Sequence, residues 1–242
     1  MLLKDKIKTF ILRNKVNYKN KINLLYYSNH KNIGDQLSPV ILKWMLAKKG
    51  LNLDSKTKKN SRLSCVGSIL QTYYCDMTVW GTGFINDKKI NAFKRIFQKL
   101  DIRALRGPLS FNKLVKEKMI LRTRKIYYGD PAILMPLIYN NVQTKKYDVS
   151  FIPHYKDKGM DTKSLHTIDV ETDDYKYFVD EILSSKMIIS SSLHGIILSE
   201  AYGVPCIWLK TGLDDFKFYD YYYSTNRKEI VFCTNLSECL KT

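Results

Sequence analysis

The sequence contains no run of 18 uninterrupted apolar residues, so it is not expected to cross a membrane. Charges interrupt the apolar residues near the N-terminus, unlike those of a secretory signal. The five cysteines form no Cys-x-x-Cys pair, and their usage fits reduced thiols of a cytoplasmic protein better than a disulfide framework. The four histidines lie far apart and show no metal-ligand spacing, so we expect neither a metal nor a cofactor.

Acidic residues are few relative to basic ones: 23 Asp and Glu against 40 Lys and Arg give a net charge of +17. Such an excess favours an anionic partner, which could be a nucleic acid, an acidic membrane or a phosphorylated substrate. Zinc-finger spacing, RNP-like aromatic motifs and long arginine-rich blocks are all missing, so nucleic acid is not favoured. The lysines are scattered, which is also common on a plain solvated surface.

Residues 1–21 form a basic amphipathic segment with seven basic residues and one acid. Leu3, Ile7, Phe10 and Ile11 fall on one face of a predicted helix. A helix of this kind can lie at an anionic membrane surface, here the inner face of the plasma membrane. The alternative is a helix that packs on the protein's own core and exposes a lysine-rich face.

The most informative stretch is residues 186–210, which predicts a strand, a tight turn, a helix and a second strand. The first strand is predicted at 187–190 and the second at 204–209, with Gly203 as helix C-cap and Pro205 preventing continuation. Three serines at 190–192 are candidate N-caps and place His194 in the first helical turn. Unpaired amides and the helix dipole favour an anion there. The alternative is a histidine with only a capping or core role.

Other predicted strands also end in polar turns. A strand at 22–27 precedes Asn32, Gly34 and Asp35, with a helix from about Ser38 and Pro39 at its first position. A strand and its turn are predicted at 63–70, and further strands at 77–80, 101–105 and 126–128. The polar residues that flank or follow these last three strands are Gly81, Thr82, Gly83, Arg103, Arg106 and Asp130. Such turns build ligand sites at the carboxyl ends of strands. The Gly-x-Gly-x-x-Gly fingerprint of dinucleotide binding is missing.

The second half repeats this α/β organisation after a polar link at 137–147. Strands are predicted at 148–153, ending at His154, and at 165–170 and 230–233, and helices at 173–185 and 236–240. We therefore expect the N-terminal segment 1–21, an N-terminal domain at 22–140 and a C-terminal domain at 141–242. The terminal helix is a candidate to pack back on the N-terminal domain. Two such domains would face each other across a cleft.

Six motifs, in order, together resemble the polysaccharide pyruvyl transferase family, and most closely its ketal-forming branch, which decorates exopolysaccharides and capsules. They are Asn-Ile-Gly-Asp-Gln-Leu at 32–37, Trp-Gly-Thr-Gly-Phe at 80–84, Arg-Ala-Leu-Arg-Gly-Pro-Leu-Ser at 103–110, Tyr-Gly-Asp-Pro-Ala at 128–132, Phe-Ile-Pro-His-Tyr at 151–155, and the stretch 190–205. The resemblance implies two Rossmann-like domains in a glycosyltransferase-B-like arrangement with an interdomain cleft. It also implies phosphoenolpyruvate as donor and a sugar as acceptor, which could be linked to polyprenyl diphosphate.

The resemblance also implies roles for individual residues. His194 and Arg106 match the catalytic histidine and the donor-binding arginine, and Asp35 is a candidate base. Many relatives carry arginine where this chain has Ser192, so one charge contact with the donor is either missing or supplied elsewhere, by Arg103 or a lysine. The expected donor-binding residues are Arg103, Arg106, Ser191, Ser192, Leu193, His194 and Gly195. The expected acceptor-binding residues are Asn32, Gly34, Asp35, Gly81, Thr82, Gly83, Asp130 and His154.

The expected function is therefore transfer of a pyruvyl group from phosphoenolpyruvate to a sugar of a surface polysaccharide precursor, with formation of a pyruvate ketal and release of phosphate. One alternative is a glycosyltransferase that uses a nucleotide-sugar donor on the same architecture. A second is a non-catalytic protein that binds anionic glycans or lipid surfaces through its basic charge. Stabilisation by phosphoenolpyruvate or by nucleotide sugars would separate the two enzymes.

Overall fold

The computed structural model describes residues 21–28, 31–57, 61–73, 75–123, 125–162, 164–212 and 215–241. The predicted N-terminal amphipathic helix lies outside these residues, apart from Lys21. Within the described part of the chain, every helix is too short or too polar to span a bilayer. All five cysteines are free thiols, in agreement with the sequence prediction.

The chain forms a mixed α/β structure with two parallel sheets of five strands each. The first sheet has the strand order β1-β2-β3-β4-β5. Its strands are β1 (Ile22–Leu25), β2 (Ser61–Ser64), β3 (Met77–Trp80), β4 (Leu100–Leu105) and β5 (Tyr127–Tyr128).

The second sheet has the order β10-β9-β8-β6-β7. Its strands are β6 (Tyr147–Ile152), β7 (His166–Thr167), β8 (Ser185–Ser190), β9 (Cys206–Leu209) and β10 (Phe232–Cys233). β8 lies at the centre, between β6 and β9, and most of its residues are buried, as its apolar sequence predicts. The chain passes from one sheet to the other between Tyr128 and Tyr147.

Seven α-helices connect the strands in the described residues. They are α1 (Ile33–Ala47), α2 (Ala92–Phe97), α3 (Pro108–Lys116), α4 (Tyr175–Leu183), α5 (Leu193–Ala201), α6 (Phe216–Ser224) and α7 (Leu236–Cys239). Two 3-10 helices, Pro131–Leu137 and Tyr155–Asp157, follow β5 and β6. The terminal helix α7 packs against β9 and β10 of the second sheet, and it is α6 that contacts α3 of the first half.

The central stretch folds as its sequence predicts, as β8, α5 and β9. Ser192 is the N-cap of α5, which ends at Ala201 before Gly203 adopts a φ of +70°. The prediction for α1 was wrong in its start: the helix begins at Ile33 because Asn32 caps it, its side chain accepting from the Gly34 amide at 3.1 Å. Pro39 therefore lies inside the helix and cannot donate to the Asp35 carbonyl.

Several predicted strands are shorter in the structure because the chain leaves the sheet early. In the predicted strand and turn at 63–70, the strand part ends at Ser64, and Gly67 then turns the chain with a φ of +104°. The strand predicted at 165–170 is reduced to β7, an edge strand with one neighbour. No helix was predicted for the residues that form α2. The tyrosine-rich segment that forms α6 was left unassigned.

The largest buried apolar cluster joins the two halves of the chain. It combines Ile33, Leu37 and Ile41 of α1 with residues of the second half, among them Phe178 and Ile196. The Ile33 amide also donates to the Val170 carbonyl at 2.8 Å. The start of α1 is therefore held against the second half, and this contact brings the first turns of α1 and α5 together.

Candidate active site

A cavity of about 420 Å³ is lined by residues from both halves. The first half contributes the loop after β1, the start of α1 and the turn at 67–69. The second half contributes the ends of β6 and β8, the start of α5 and Lys217 of α6. Six residues singled out from the sequence line it: Asn32, Asp35, His154, Ser192, Leu193 and His194.

The first turns of α1 and α5 meet at this cavity. Gly34 lies so close to His194 that a Cβ built on it would be 1.9 Å from Nδ1 of the imidazole. Glycine at position 34 therefore makes room for the ring. Both helices direct the positive end of their dipoles toward the wall where they meet, which favours a bound anion there.

The imidazole of His194 is held between α1 and a buried carboxylate. Its Nε2 lies 3.8 Å from Oδ2 of Asp130, and neither atom has a hydrogen-bond partner among the described residues. Burial and the nearby charges of Arg106 and Lys217 lower the pKa of His194 to about 3. The ring is therefore neutral at pH 7 and can accept a proton.

Asp130 lies behind His194 and not on the cavity wall. Its side chain is fully buried, and its Oδ1 accepts from the Ala132 amide at 3.0 Å, which caps the following 3-10 helix. Burial raises the pKa of Asp130 to about 6, an effect that this amide and Arg106 partly offset. Asp130 was predicted from the sequence to contact the acceptor, whereas the structure places it against His194, the candidate catalytic residue.

Asp35 lines the cavity from the first turn of α1. Burial raises its pKa to about 7, although the positive charge of Lys217 acts in the opposite direction. At neutral pH, a substantial fraction of this carboxyl therefore carries a proton. The cavity thus brings together a neutral histidine and a carboxylic acid that can donate a proton.

Replacing Asp35 by asparagine is expected to change how stability depends on pH. The pKa of Asp35 rises from 3.8 to about 7 on folding, so its stabilising contribution is full below pH 4 and is lost as pH rises through 7. Relative to Asp35→Asn, the wild type should lose about 1–3 kcal/mol between pH 4 and 8. Urea unfolding of both proteins across this range measures the difference, and a constant difference would contradict the prediction.

Arg106 is fully buried and has partners within the protein. Its Nε donates to Oδ2 of Asp220 at 3.2 Å, Nη1 donates to Ser68 Oγ at 2.7 Å, and Nη2 donates to the Phe84 carbonyl. Asp220 also accepts from the Ser110 amide and hydroxyl, at 2.9 and 2.6 Å. Ser68 lines the cavity, so the charge of Arg106 lies one hydroxyl group behind the wall.

The structure places the other predicted site residues away from the cavity wall. Arg103 pairs with Asp101 at 3.0 Å, and its side chain is 68% exposed. Thr82 is buried and donates to the Gly67 carbonyl. Gly81 lies next to Pro131, and Gly83 lies next to Arg106.

Ser191 and Gly195 have structural surroundings within the second half. Ser191 Oγ accepts from the His154 amide and donates to Asp157. Gly195 packs on Ser190 and Ile152 at the ends of β8 and β6.

Sequence reasoning missed several residues that line the cavity, chiefly Tyr27, Lys31, Tyr155, Lys156, Glu171 and Lys217. Tyr155 is the last residue of the motif at 151–155, and Tyr27 ends the predicted strand that precedes the motif at 32–37, so both had a signal in their position at a strand end. Lys217 had none, because it belongs to a tyrosine-rich segment that carries no motif. Among the described residues, no group of three or more His, Cys, Asp or Glu side chains could hold a metal ion.

The fold and the cavity together define an α/β protein with two parallel sheets and a cavity near the ends of their strands. A match to the polysaccharide pyruvyl transferase family covers residues 32–212, and the chain belongs to this family.

Three similar proteins extend this finding. An uncharacterised protein of Acanthamoeba polyphaga mimivirus is 29% identical over 222 residues, which cover 84% of this chain and 74% of that protein. The succinoglycan biosynthesis protein ExoV of Rhizobium meliloti is 30% identical over 133 residues, half of this chain but only 39% of ExoV. A functionally uncharacterised Klebsiella pneumoniae protein of known structure matches 97% of this chain and 100% of its own, with a TM-score of 0.53 and 12% identity, and shows the fold alone.

Proposed function

We propose that this protein transfers the pyruvyl group of phosphoenolpyruvate to a sugar of a surface polysaccharide precursor, forming a pyruvate ketal and releasing phosphate. Membership of the pyruvyl transferase family and similarity to a succinoglycan biosynthesis protein support a role in polysaccharide biosynthesis. The observation that carries the proposal is the position of His194, in the first turn of α5 on the wall of a cavity shared by both halves. The two halves would form a glycosyltransferase-B-like arrangement around this cavity.

The reaction needs an acid, a base and a site for anions. Phosphoenolpyruvate is an enol ester whose C2 becomes electrophilic when C3 gains a proton. One sugar hydroxyl then adds to C2, the C2–O bond to phosphate breaks, and a second hydroxyl closes the ketal at the same carbon. The two hydroxyl protons balance the proton taken up at C3 and the one carried away by phosphate.

The cavity offers groups suited to each step. Asp35 holds a proton near neutral pH and would deliver it to C3. The neutral imidazole of His194 would accept a proton from the attacking hydroxyl, and the adjacent Asp130 would stabilise the imidazolium that forms. The amides at the start of α5, together with the positive dipole end of α1, would bind the phosphate or carboxylate group.

The acceptor would lie against the part of the cavity wall that contains Tyr27, His154 and Tyr155. Aromatic rings and hydroxyl groups of this kind suit the faces and hydroxyls of a sugar. Lys31 and Lys156 add positive charge on the same wall, which suits a diphosphate-linked precursor. Contact of residues 1–21 with an anionic membrane, and hence a location at the inner face of the plasma membrane, stays a prediction.

The first test is whether the protein recognises phosphoenolpyruvate. Saturating phosphoenolpyruvate should raise the melting temperature by several degrees, since a ligand at 100 times its Kd adds about 2.7 kcal/mol. UDP- and CMP-sugars are the comparison, and stabilisation by these in place of phosphoenolpyruvate would overturn the proposal in favour of a glycosyltransferase.

The second test is the reaction itself. The protein is expected to release inorganic phosphate from phosphoenolpyruvate only when a lipid-linked saccharide acceptor is present. Mass spectrometry of the product should show a pyruvate ketal. If the surface glycan has the same composition before and after deletion of the gene that encodes this protein, the proposed role is contradicted.

A further inference from the structure

An exposed apolar surface lies at the edge of the first sheet. β5 is the edge strand of this sheet and pairs with β4. Its two residues, Tyr127 and Tyr128, point to opposite faces of the sheet, and both are exposed, Tyr127 to 80%. The 3-10 helix that follows exposes Ile133 and Leu137, and Ile133 packs next to Gly129, which directly follows β5. We call the exposed side chains of Tyr127, Tyr128, Ile133 and Leu137 the edge patch.

Positive charge flanks the edge patch, with almost no negative charge to balance it. Residues 118–146 contain six basic residues and one acidic residue, Asp130. Asp130 is fully buried, so it offers no negative charge at the surface. Lys118, Arg122 and Lys125 lie in the connection between α3 and β5, and all three are exposed. The surface therefore combines aromatic and aliphatic side chains with a basic border.

This combination favours one kind of partner. Clustered apolar side chains on a surface are typical of contacts with another protein or with a membrane. A twofold contact between two copies would bring the same basic residues face to face, and β5 is too short, at two residues, to pair stably with another strand. Anionic lipid headgroups complement the basic residues, and tyrosine and aliphatic side chains enter the boundary between headgroups and acyl chains.

We propose that the edge patch and its basic border bind the surface of an anionic lipid bilayer. This surface is separate in sequence from residues 1–21, for which membrane contact was predicted from their amphipathic pattern. Its aromatic and aliphatic side chains would enter the headgroup region, while Lys118, Arg122 and Lys125 would contact the lipid phosphates.

The edge patch lies at the same end of the first sheet as the candidate active site. β5 runs parallel to β4, so Tyr128 is at the carboxyl end of the sheet, two positions before Asp130, which lies behind His194. Binding through the edge patch would hold this end of the protein close to the bilayer, where a lipid-linked sugar precursor is found. This consequence rests on the proposed function, whereas the binding to lipid does not.

The test measures co-sedimentation of the full-length chain with vesicles. The wild type should bind vesicles of phosphatidylcholine and phosphatidylglycerol more tightly than vesicles of phosphatidylcholine alone, and high salt should weaken the binding. The double variant Tyr127→Ser with Leu137→Ser should weaken binding to the mixed vesicles about 10- to 100-fold. Lys125→Glu should weaken it about 5- to 30-fold.

Matched controls change the same kinds of side chain outside the edge patch. Ile96→Ser with Val231→Ser removes two apolar side chains of similar exposure, and Lys43→Glu reverses a charge on the exposed face of α1. Both controls should bind within about twofold of the wild type. Residues 1–21 are unchanged in every variant, so differences between variants report the edge patch. The substituted side chains are exposed, and circular dichroism checks that each variant is folded.

Several results would overturn the proposal. They are a wild type that does not bind the mixed vesicles, edge-patch variants that bind as tightly as the wild type, and controls that lose as much binding as the edge-patch variants. A change from dimer to monomer in Tyr127→Ser with Leu137→Ser, at unchanged vesicle binding, would assign the surface to a second copy of the chain. The vesicles contain neither phosphoenolpyruvate nor acceptor, so this test and those of the proposed function can fail separately.

Discussion

Replacing Asp220 by alanine is expected to lower the free energy of unfolding by about 3–5 kcal/mol. Asp220 and Arg106 are both fully buried, and Asp220 accepts hydrogen bonds from Arg106 and from Ser110. The substitution would leave a guanidinium charge in the interior without its carboxylate, and such a charge is poorly solvated there. Urea unfolding monitored by circular dichroism at pH 7 measures the loss.

A surface pair from the same segment provides the control. Arg103 and Asp101 are 3.0 Å apart but largely exposed, so Asp101→Ala should cost less than about 1 kcal/mol. The double variant Arg106→Met with Asp220→Leu removes both buried charges and should recover part of the stability lost in Asp220→Ala. Equal losses in Asp220→Ala and Asp101→Ala would show that the buried pair does not hold the two halves together.

The Arg106–Asp220 pair also shows where sequence reasoning stops. The motif around Arg106 was recognisable, and α3 begins two residues after Arg106, at Pro108. Asp220 lies 114 positions away in a segment without a motif, so no sequence pattern indicated that it would contact Arg106. Binding of the donor by Arg106 stays a prediction, and its partners in the structure are protein groups.

The parts of the site that follow from local pattern were predictable. The buried strand, the serine turn and Gly203 define β8 and α5, and they place His194 in the first helical turn whatever the tertiary structure. The start of α1 was misjudged because Pro39 was given more weight than the capping side chain of Asn32. The contact between Gly34 and His194 could not be predicted, because it depends on how the two halves pack.

Replacing His194 by asparagine is expected to lower kcat about 10²- to 10⁴-fold with phosphoenolpyruvate and acceptor, because it removes the proposed base. The imidazole is neutral at pH 7, so the loss should persist from about pH 6 to 9. His166→Asn is the matched control: His166 stacks on Tyr147 in the second sheet, away from the cavity, and its loss should change kcat less than about twofold. A His194→Asn variant as active as the control would remove the histidine from the mechanism.

Asp130→Asn tests whether the buried carboxylate acts through His194. The change keeps the size of the side chain and removes the negative charge 3.8 Å from Nε2. The imidazolium formed on proton transfer would then lose its counter-charge, so kcat should fall about 10- to 100-fold while the KM for both substrates stays within about threefold. A structural role alone would lower stability without this selective effect on kcat. In the double variant with His194→Asn, the Asp130 substitution should have little further effect, because a carboxylate that acts through the imidazole has nothing left to stabilise.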